Sequence, residues 1–248
     1  MTNIIEVRGV SKAYGGVQAN TDISIDVPVG KITGLIGPNG SGKTTLFNSI
    51  VGYHPIDAGS IKFENREISK LRVPQIARLG MLRTFQQTRI YSKMNCLDNM
   101  QISVSHREEG LGRMFARRDG GEIIDRAERL LEFVGLYAKR RLISGDLSFG
   151  QQKLLEFAMA LMNQPKVLLL DEPTAGINPT LINGLIDRLK RANEELGVTL
   201  FVIEHNMRVI MNLAEQISCL AYGRLLATGS PDEIQNDQRV IDAYLGAH

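Results

Sequence analysis

The chain has 248 residues, 43% hydrophobic and 23% charged, with 29 basic against 27 acidic side chains. That length suits one large domain, or one core carrying an inserted lobe. A formal net charge of +2 is too small to argue for nucleic acid by itself. No apolar run approaches the ~20 residues that span a bilayer, so a membrane role must come through a partner.

Met1 to Val10 carries Glu6 and Arg8 inside a strand-like run, which is not the pattern of a secretory leader. Cys96 and Cys219 stand apart with no metal spacing and read as small buried apolar residues in a reducing compartment. No internal repeat or low-complexity segment occurs. Ile4 to Val10 alternates apolar and polar like a half-buried strand. Lys12 to Gly16 is expected to turn, and Val17 to Val29 gives a second strand pattern. Tyr14 reads, from the residue alone, as a surface tyrosine beside that turn. An aromatic there can also stack on a base.

Lys31 to Ile36 (KITGLI) predicts a short buried strand. Gly37-Pro38-Asn39-Gly40-Ser41-Gly42-Lys43-Thr44 follows as G-x-x-x-x-G-K-T, a phosphate-binding loop. Thr45 to Val51 continues as a helix. The glycines let the backbone curl with its N–H groups inward, and the helix N-terminus adds positive potential on the same spot. Lys43 would reach the β- and γ-phosphates, and the Thr44 hydroxyl would hold Mg²⁺.

Pro55 to Ser60 is expected to turn, Ile61 to Phe63 to form a short strand, and Val73 to Leu79 a helix. Met81 to Phe85 reads as a strand ending at Gln86, a position that can touch Mg²⁺ or water but by itself is an ordinary loop residue. From Tyr91 to Leu142 the pattern turns helical, with apolar spacing over Leu97 to Val104 and Ile123 to Val134. Between them Arg107 to Gly121 reads as a mobile charged loop. Its Arg113, Arg117 and Arg118 suit a solvated face, with lipid headgroups or RNA as the alternative. Leu147 to Gln151 opens a helix over Gln152 to Met162. Ser148 and Gly150 fall at its cap and first turn, which suits an anion site or an ordinary capped helix.

Val167 to Glu172 is an apolar run ending in two carboxylates, as a buried parallel strand reads. Ligands of such sheets lie at the strands' carboxyl ends. Asp171 is then a candidate Mg²⁺ ligand, and Glu172 a candidate base for water. Pro179 can start a helix that Gly197 ends. Val198 to Ile203 is another apolar strand, followed by Glu204-His205-Asn206. His205 at that edge can meet a γ-phosphate, although a lone histidine is more often structural. Met207 to Leu213 reads as helix, Ile217 to Ala227 as a hairpin through Tyr222-Gly223-Arg224, and Pro231 to Leu245 as short helical turns.

These motifs in this order resemble the nucleotide-binding subunits of ABC transporters, and the resemblance covers essentially the whole chain. GPNGSGKT matches the Walker A motif, VLLLDE Walker B, and LSFGQ the signature motif. Through that likeness Tyr14 becomes the adenine-stacking aromatic, Gln86 the Q-loop glutamine and His205 the switch histidine. Ala175 to Asn178 matches the D-loop, with Asn178 where the family usually has aspartate. RTFQQTRIY, DEPTAGINP, VIEHNM and the tail from Gly229 to Gly246 look narrower still. They resemble ATPases of branched-chain amino-acid importers, a group that also imports urea and short amides.

The resemblance implies an α/β fold: a RecA-like P-loop NTPase core with an antiparallel β-lobe and an inserted α-helical lobe. As one ABC ATPase domain, residues 1–86 and 163–228 would form the β-lobe and core, 87–162 the helical lobe, and 229–248 a C-terminal extension. ATP and Mg²⁺ are the implied cofactors. Tyr14, Gly37 through Thr44, Thr45, Ser148, Gly150 and Gln151 would bind nucleotide. Thr44, Gln86 and Asp171 would hold the metal, and Glu172, His205 and Gln86 would be catalytic. A second ATPase subunit, identical or paralogous, would complete each site through its own Ser148 segment. Transmembrane permease subunits, and indirectly an extracytoplasmic solute-binding protein, are implied as partners, with no nucleic acid. The implied location is the cytoplasmic face of the membrane. A lipopolysaccharide-export-type ATPase or one that never meets a membrane is the alternative. A degenerate, non-hydrolysing cassette conflicts with the presence of Lys43, Ser148 and Glu172.

Overall fold

The chain alternates strands and helices. In order they are β1 (Asn3–Tyr14), β2 (Val17–Pro28), β3 (Ile32–Ile36), α1 (Lys43–Ile50), β4 (Ala58–Phe63), β5 (Arg66–Glu67), α2 (Val73–Leu79) and β6 (Met81–Arg83). Helices α3 (Cys96–Ile102), α4 (Gly120–Phe133) and α5 (Phe149–Leu161) follow. Then come β7 (Val167–Asp171), α6 (Pro179–Leu196), β8 (Thr199–Ile203), α7 (Met207–Leu213), β9 (Gln216–Ala221), β10 (Arg224–Gly229), α8 (Pro231–Asn236) and α9 (Gln238–Leu245). This is a computed structural model, and it describes residues 2–84, 90–104 and 120–245.

The chain divides into two compact units. The first takes Met1–Arg83, Lys166–Pro173 and Leu189–His248, and the second Thr84–Pro165 and Thr174–Arg188. The first unit holds both sheets. One is antiparallel, in the order β2-β1-β4-β5; the other runs β10-β9-β3-β8-β7-β6. In the second sheet β9, β3, β8, β7 and β6 are parallel, and β10 returns antiparallel along β9. Strands β3, β7 and β8 are buried at every residue, as continuous apolar runs between covering layers should be. Ile5, Val7, Ile23 and Val27 of the antiparallel sheet share one core with Leu46, Phe47, Leu169 and Phe201. Phe47 on α1 and Phe201 on β8 meet with ring centroids 4.7 Å apart.

Three local expectations are corrected here. Lys12 to Tyr14 continues β1, because the hairpin needs only Gly15-Gly16 between Tyr14 and its partner Val17. Ala58 to Ser60 belongs to β4, because β1 offers it a ladder in which Arg8 faces Ser60 and Ser11 faces Ala58. The strand expected to reach Phe85 ends at Arg83 among the described residues.

In the second unit α3, α4 and α5 pack on one another. Asn99 is fully buried, and its amide donates to the carbonyls of Tyr91 and Asn95 and to Ser144 Oγ, tying the irregular chain on either side of α3 together. Arg188 donates through Nε to Val134 O at 2.8 Å. The charged loop expected over Arg107 to Gly121 falls mostly outside the described residues; Gly120 and Gly121 already begin α4. Among the described residues no helix is long and apolar enough to cross a membrane.

Candidate functional site

The phosphate loop leaves the buried end of β3 and enters α1. Gly37, Gly40 and Gly42 have φ of 146°, 77° and 98°, a region closed to most side chains. A Cβ on Gly37 would sit 2.0 Å from Leu220 O, and one on Gly42 2.3 Å from Ala19 O. The loop is therefore wedged between β9 and β2, with room only for glycine at Gly37 and Gly42. Lys43 is 5% exposed, and its ammonium donates to Gly37 O at 2.8 Å and Pro38 O at 2.9 Å. Burial lowers its pKa, against the opposing pull of Glu172, Cys219 and Asp171. Thr44 is exposed and Thr45 half-buried in the first turn of α1, which carries no acidic residue there. That first turn suits an anion.

Two residues that sequence reasoning missed hold this loop. Asn20, fully buried on β2, donates through Nδ2 to Gly42 O at 3.1 Å. Gly37 N–H donates to the phenol oxygen of Tyr244 on α9 at 2.8 Å. Burial pushes the Tyr244 pKa up to about 12, so the phenol stays neutral. Neither contact has a local sequence signal, because β2 and α9 lie far from the loop along the chain.

The carboxyl edge of β7 and β8 brings Asp171, Glu172 and His205 together. Asp171 is 2% exposed. Its Oδ2 accepts from Arg83 Nη2 at the end of β6, while Oδ1 is buried with no hydrogen-bond partner. Glu172 sits at φ 50°, and its N–H donates to Ile203 O at 2.9 Å. A non-glycine residue in that region is strained, and such strain gathers at functional positions. The Oε1 of Glu172 lies 2.7 Å from Nε2 of His205. Beneath them Glu204, 2% exposed, accepts from the backbone N–H groups of His205 and Asn206 at 3.2 and 3.4 Å, which fixes the turn that presents His205.

Tyr14 is 48% exposed at the tip of the β1–β2 hairpin. The His54 ring meets it edge-on at 5.5 Å, and Lys12 Nζ lies 5.6 Å from its ring centroid. Lys12 is itself held by Asp57 Oδ1 at 2.9 Å. Burial and the nearby Lys12 lower the His54 pKa, so His54 packs as a neutral ring. The open face of Tyr14 is free to stack.

Ser148, Gly150 and Gln151 belong to the second unit. Ser148 caps α5: its Oγ accepts from Gln151 N–H at 3.4 Å, and Gln151 Oε1 accepts from Ser148 N–H at 3.2 Å. This reciprocal capping box leaves the helix entrance ordered. Gly150 is buried, with Leu181 and Ile177 against its Cα face. Asn178 Oδ1 accepts from the N–H and hydroxyl of Thr180 at 3.1 and 2.9 Å, capping α6 ahead of Pro179. Gln86 lies outside the described residues.

Residues 20–175 match the ABC transporter family model, and residues 224–248 match that of the branched-chain amino acid ATP-binding cassette transporter. The chain belongs to the ABC transporter family. It is 36% identical over 98% of both chains to the Salmonella typhimurium high-affinity branched-chain amino acid transport ATP-binding protein LivG. An ATP-binding cassette of an ABC transporter, solved in its ADP conformation, superposes with a TM-score of 0.89. It is 31% identical and covers 99% of this chain and 100% of that one. A bacterial ABC transporter cassette solved as a dimer superposes at 0.78, with 25% identity, 92% of this chain and 98% of that one covered. The protein is thus an ATP-binding, ATP-hydrolysing transporter subunit with the α/β cassette fold.

Among the described residues no group of three or more His, Cys, Asp or Glu could hold a metal. Magnesium takes one or two protein oxygens and completes its octahedron with water and phosphate oxygens. The unpartnered Oδ1 of Asp171 is a donor of the required kind.

Proposed function

We propose that this cassette powers an importer for branched-chain amino acids, and that each ATP is held between the P-loop of one subunit and the Ser148 segment of a second. The Glu172–His205 contact carries the hydrolytic reading. A carboxylate at the carboxyl edge of β7, in contact with an imidazole and beside a lysine-bearing phosphate loop, supports a role in taking a proton from water. Lys43 and the amides of Gly37 through Thr45 hold the phosphates, and Tyr14 stacks on adenine. Magnesium, held by Thr44, Asp171 and Gln86, would neutralise charge on the transferring phosphoryl group. Glu172 orients and deprotonates the attacking water. The bond between the γ-phosphorus and its bridging oxygen breaks, and ADP and phosphate leave. His205 keeps Glu172 aimed and meets the γ-phosphate.

Ser148, Gly150 and Gln151 cap the γ-phosphate held by the partner subunit. Their ordered entrance to α5 supports this, since a helix N-terminus with free N–H groups is an anion site. The helical lobe, 87–162, transmits closure to transmembrane permease subunits at the cytoplasmic face. The solute class is supported by similarity along the whole chain and by the tail match at 224–248. Solute choice itself lies in the permease and its binding protein. Reconstituting the chain with its own permease and binding protein tests the reading. ATP turnover should rise with leucine, isoleucine or valine. Stimulation by urea or short amides alone would overturn the solute class, and ATP binding without turnover would overturn the hydrolytic role.

A further inference from the structure

Arg83 opens the RTFQQTRIY stretch without a role assigned to it there, yet it grips the Asp171 carboxylate. It ends β6, one strand over from Asp171, opposite Leu169 in the parallel register. Its Nη2 donates to Asp171 Oδ2 and its Nη1 to Asn48 Oδ1 on α1. Its guanidinium carbon stands 5.7 Å from the Phe47 ring centroid. The side chains of Arg83 and Asp171 are 7% and 1% exposed. At that depth water screens little, so each charge strongly governs the potential felt at the other. The fork occupies one carboxylate oxygen and leaves Oδ1 buried with no hydrogen-bond partner.

We propose that Arg83 is a positioning residue for the divalent-metal site: by taking Oδ2 of Asp171 it reserves Oδ1 for the metal, and its charge holds down the site's affinity for the ion. The proposal rests on the reading of Asp171 as a magnesium contact. Two cations then share one carboxylate. The arginine repels the metal and attracts the metal-free nucleotide, which is the more negative species. It therefore narrows the difference between binding of ATP with magnesium and without it. A subunit tuned this way can release magnesium and ADP after hydrolysis, where a bare buried carboxylate would hold the ion.

The test uses the full chain and a fluorescent ATP analogue, titrated once in EDTA and once in excess Mg²⁺. The quantity read is the ratio of the two dissociation constants. Arg83→Met should raise that ratio about tenfold, the scale expected for removing one poorly screened charge near a divalent ion. Arg83→Gln, which keeps hydrogen-bonding capacity without charge, should shift it the same way and serves if the methionine variant does not fold. Arg83→Lys keeps the charge and should keep the wild-type ratio; a shifted ratio there overturns the charge argument. Damage that is only structural would weaken both constants together and leave the ratio unchanged, which overturns the proposal. Asp171→Asn separates the premise from the inference. A collapsed ratio in Asp171→Asn with an unmoved ratio in Arg83→Met rejects Arg83 alone. An unmoved ratio in Asp171→Asn rejects the magnesium reading itself.

Discussion

At the scale of single residues, the strained backbone of Glu172 is the informative detail. A side chain held at φ 50° and within 2.7 Å of His205 is placed by the ladder between β7 and β8, not by its own preference. Glu172→Gln keeps that shape and would remove the proposed base. Hydrolysis should fall by at least a hundredfold, the usual weight of a general base, while ATP affinity stays near wild type. Single-turnover assays beside equilibrium titration check this; turnover at the wild-type rate would remove Glu172 from the chemistry. Lys43 and Tyr14 rank differently. Lys43 contributes a full charge from a buried position, so Lys43→Ala should nearly abolish ATP binding. Tyr14→Ala would remove the proposed stacking face, roughly 1–3 kcal/mol or about five- to 150-fold in affinity. A titration in which Tyr14→Ala is the worse variant would reverse this ranking.

At the scale of elements, the phosphate loop depends on segments it never neighbours in sequence. Helix α9 supplies the phenol oxygen that receives Gly37 N–H, and β2 supplies Asn20 for Gly42 O. Tyr244→Phe keeps the ring and its packing but leaves the Gly37 amide without its acceptor. An unsatisfied buried donor costs roughly 1–3 kcal/mol, so the thermal midpoint should drop by several degrees and ATP affinity by a few-fold. Hydrogen exchange at Gly37 to Lys43 is the direct measurement. Protection equal to wild type in Tyr244→Phe would mean that α9 is docked near the loop without supporting it.

The whole molecule poses the question of the second subunit. Ser148 already caps α5, so a serine that served only its own helix would make Ser148→Arg cost about 1 kcal/mol of stability with turnover intact. A serine that meets the partner's γ-phosphate makes arginine there block closure. Each subunit would still bind ATP, and hydrolysis would fall to background. Mixing Ser148→Arg with Lys43→Ala is the sharper experiment. In the mixed dimer one composite site carries both lesions and the other carries neither, so turnover absent from either variant alone should partly return. Wild-type turnover by Ser148→Arg would end the shared-site model.

Much of this molecule is written in short stretches of sequence. The run from Lys31 through Thr44 specifies strand, glycine loop and helix together, because the loop needs φ values that only glycine tolerates and a helix start that the next residues favour. The apolar runs at Val167 and Val198 declare buried parallel strands, and the acids and histidine at their ends fall on one edge because all those strands point the same way. Val73 to Leu79 and Met207 to Leu213 are helices by spacing and stay so in the fold. Contacts between distant segments leave no such trace. Arg83 in the sequence is one more strand-end cation. Only the neighbouring register of β6 and β7 sets it against Asp171. Tyr244 and Asn20 are ordinary residues of a helix and a strand until packing brings them to the loop. Lys12 to Tyr14 leaves the expected turn because β2 offers ladder partners along β1 as far as Tyr14. Local chemistry thus determined the motifs and their order, whereas the groups that support and tune them were decided by tertiary packing, since a hydrogen bond or an ion pair depends on distance in space and not on separation along the chain.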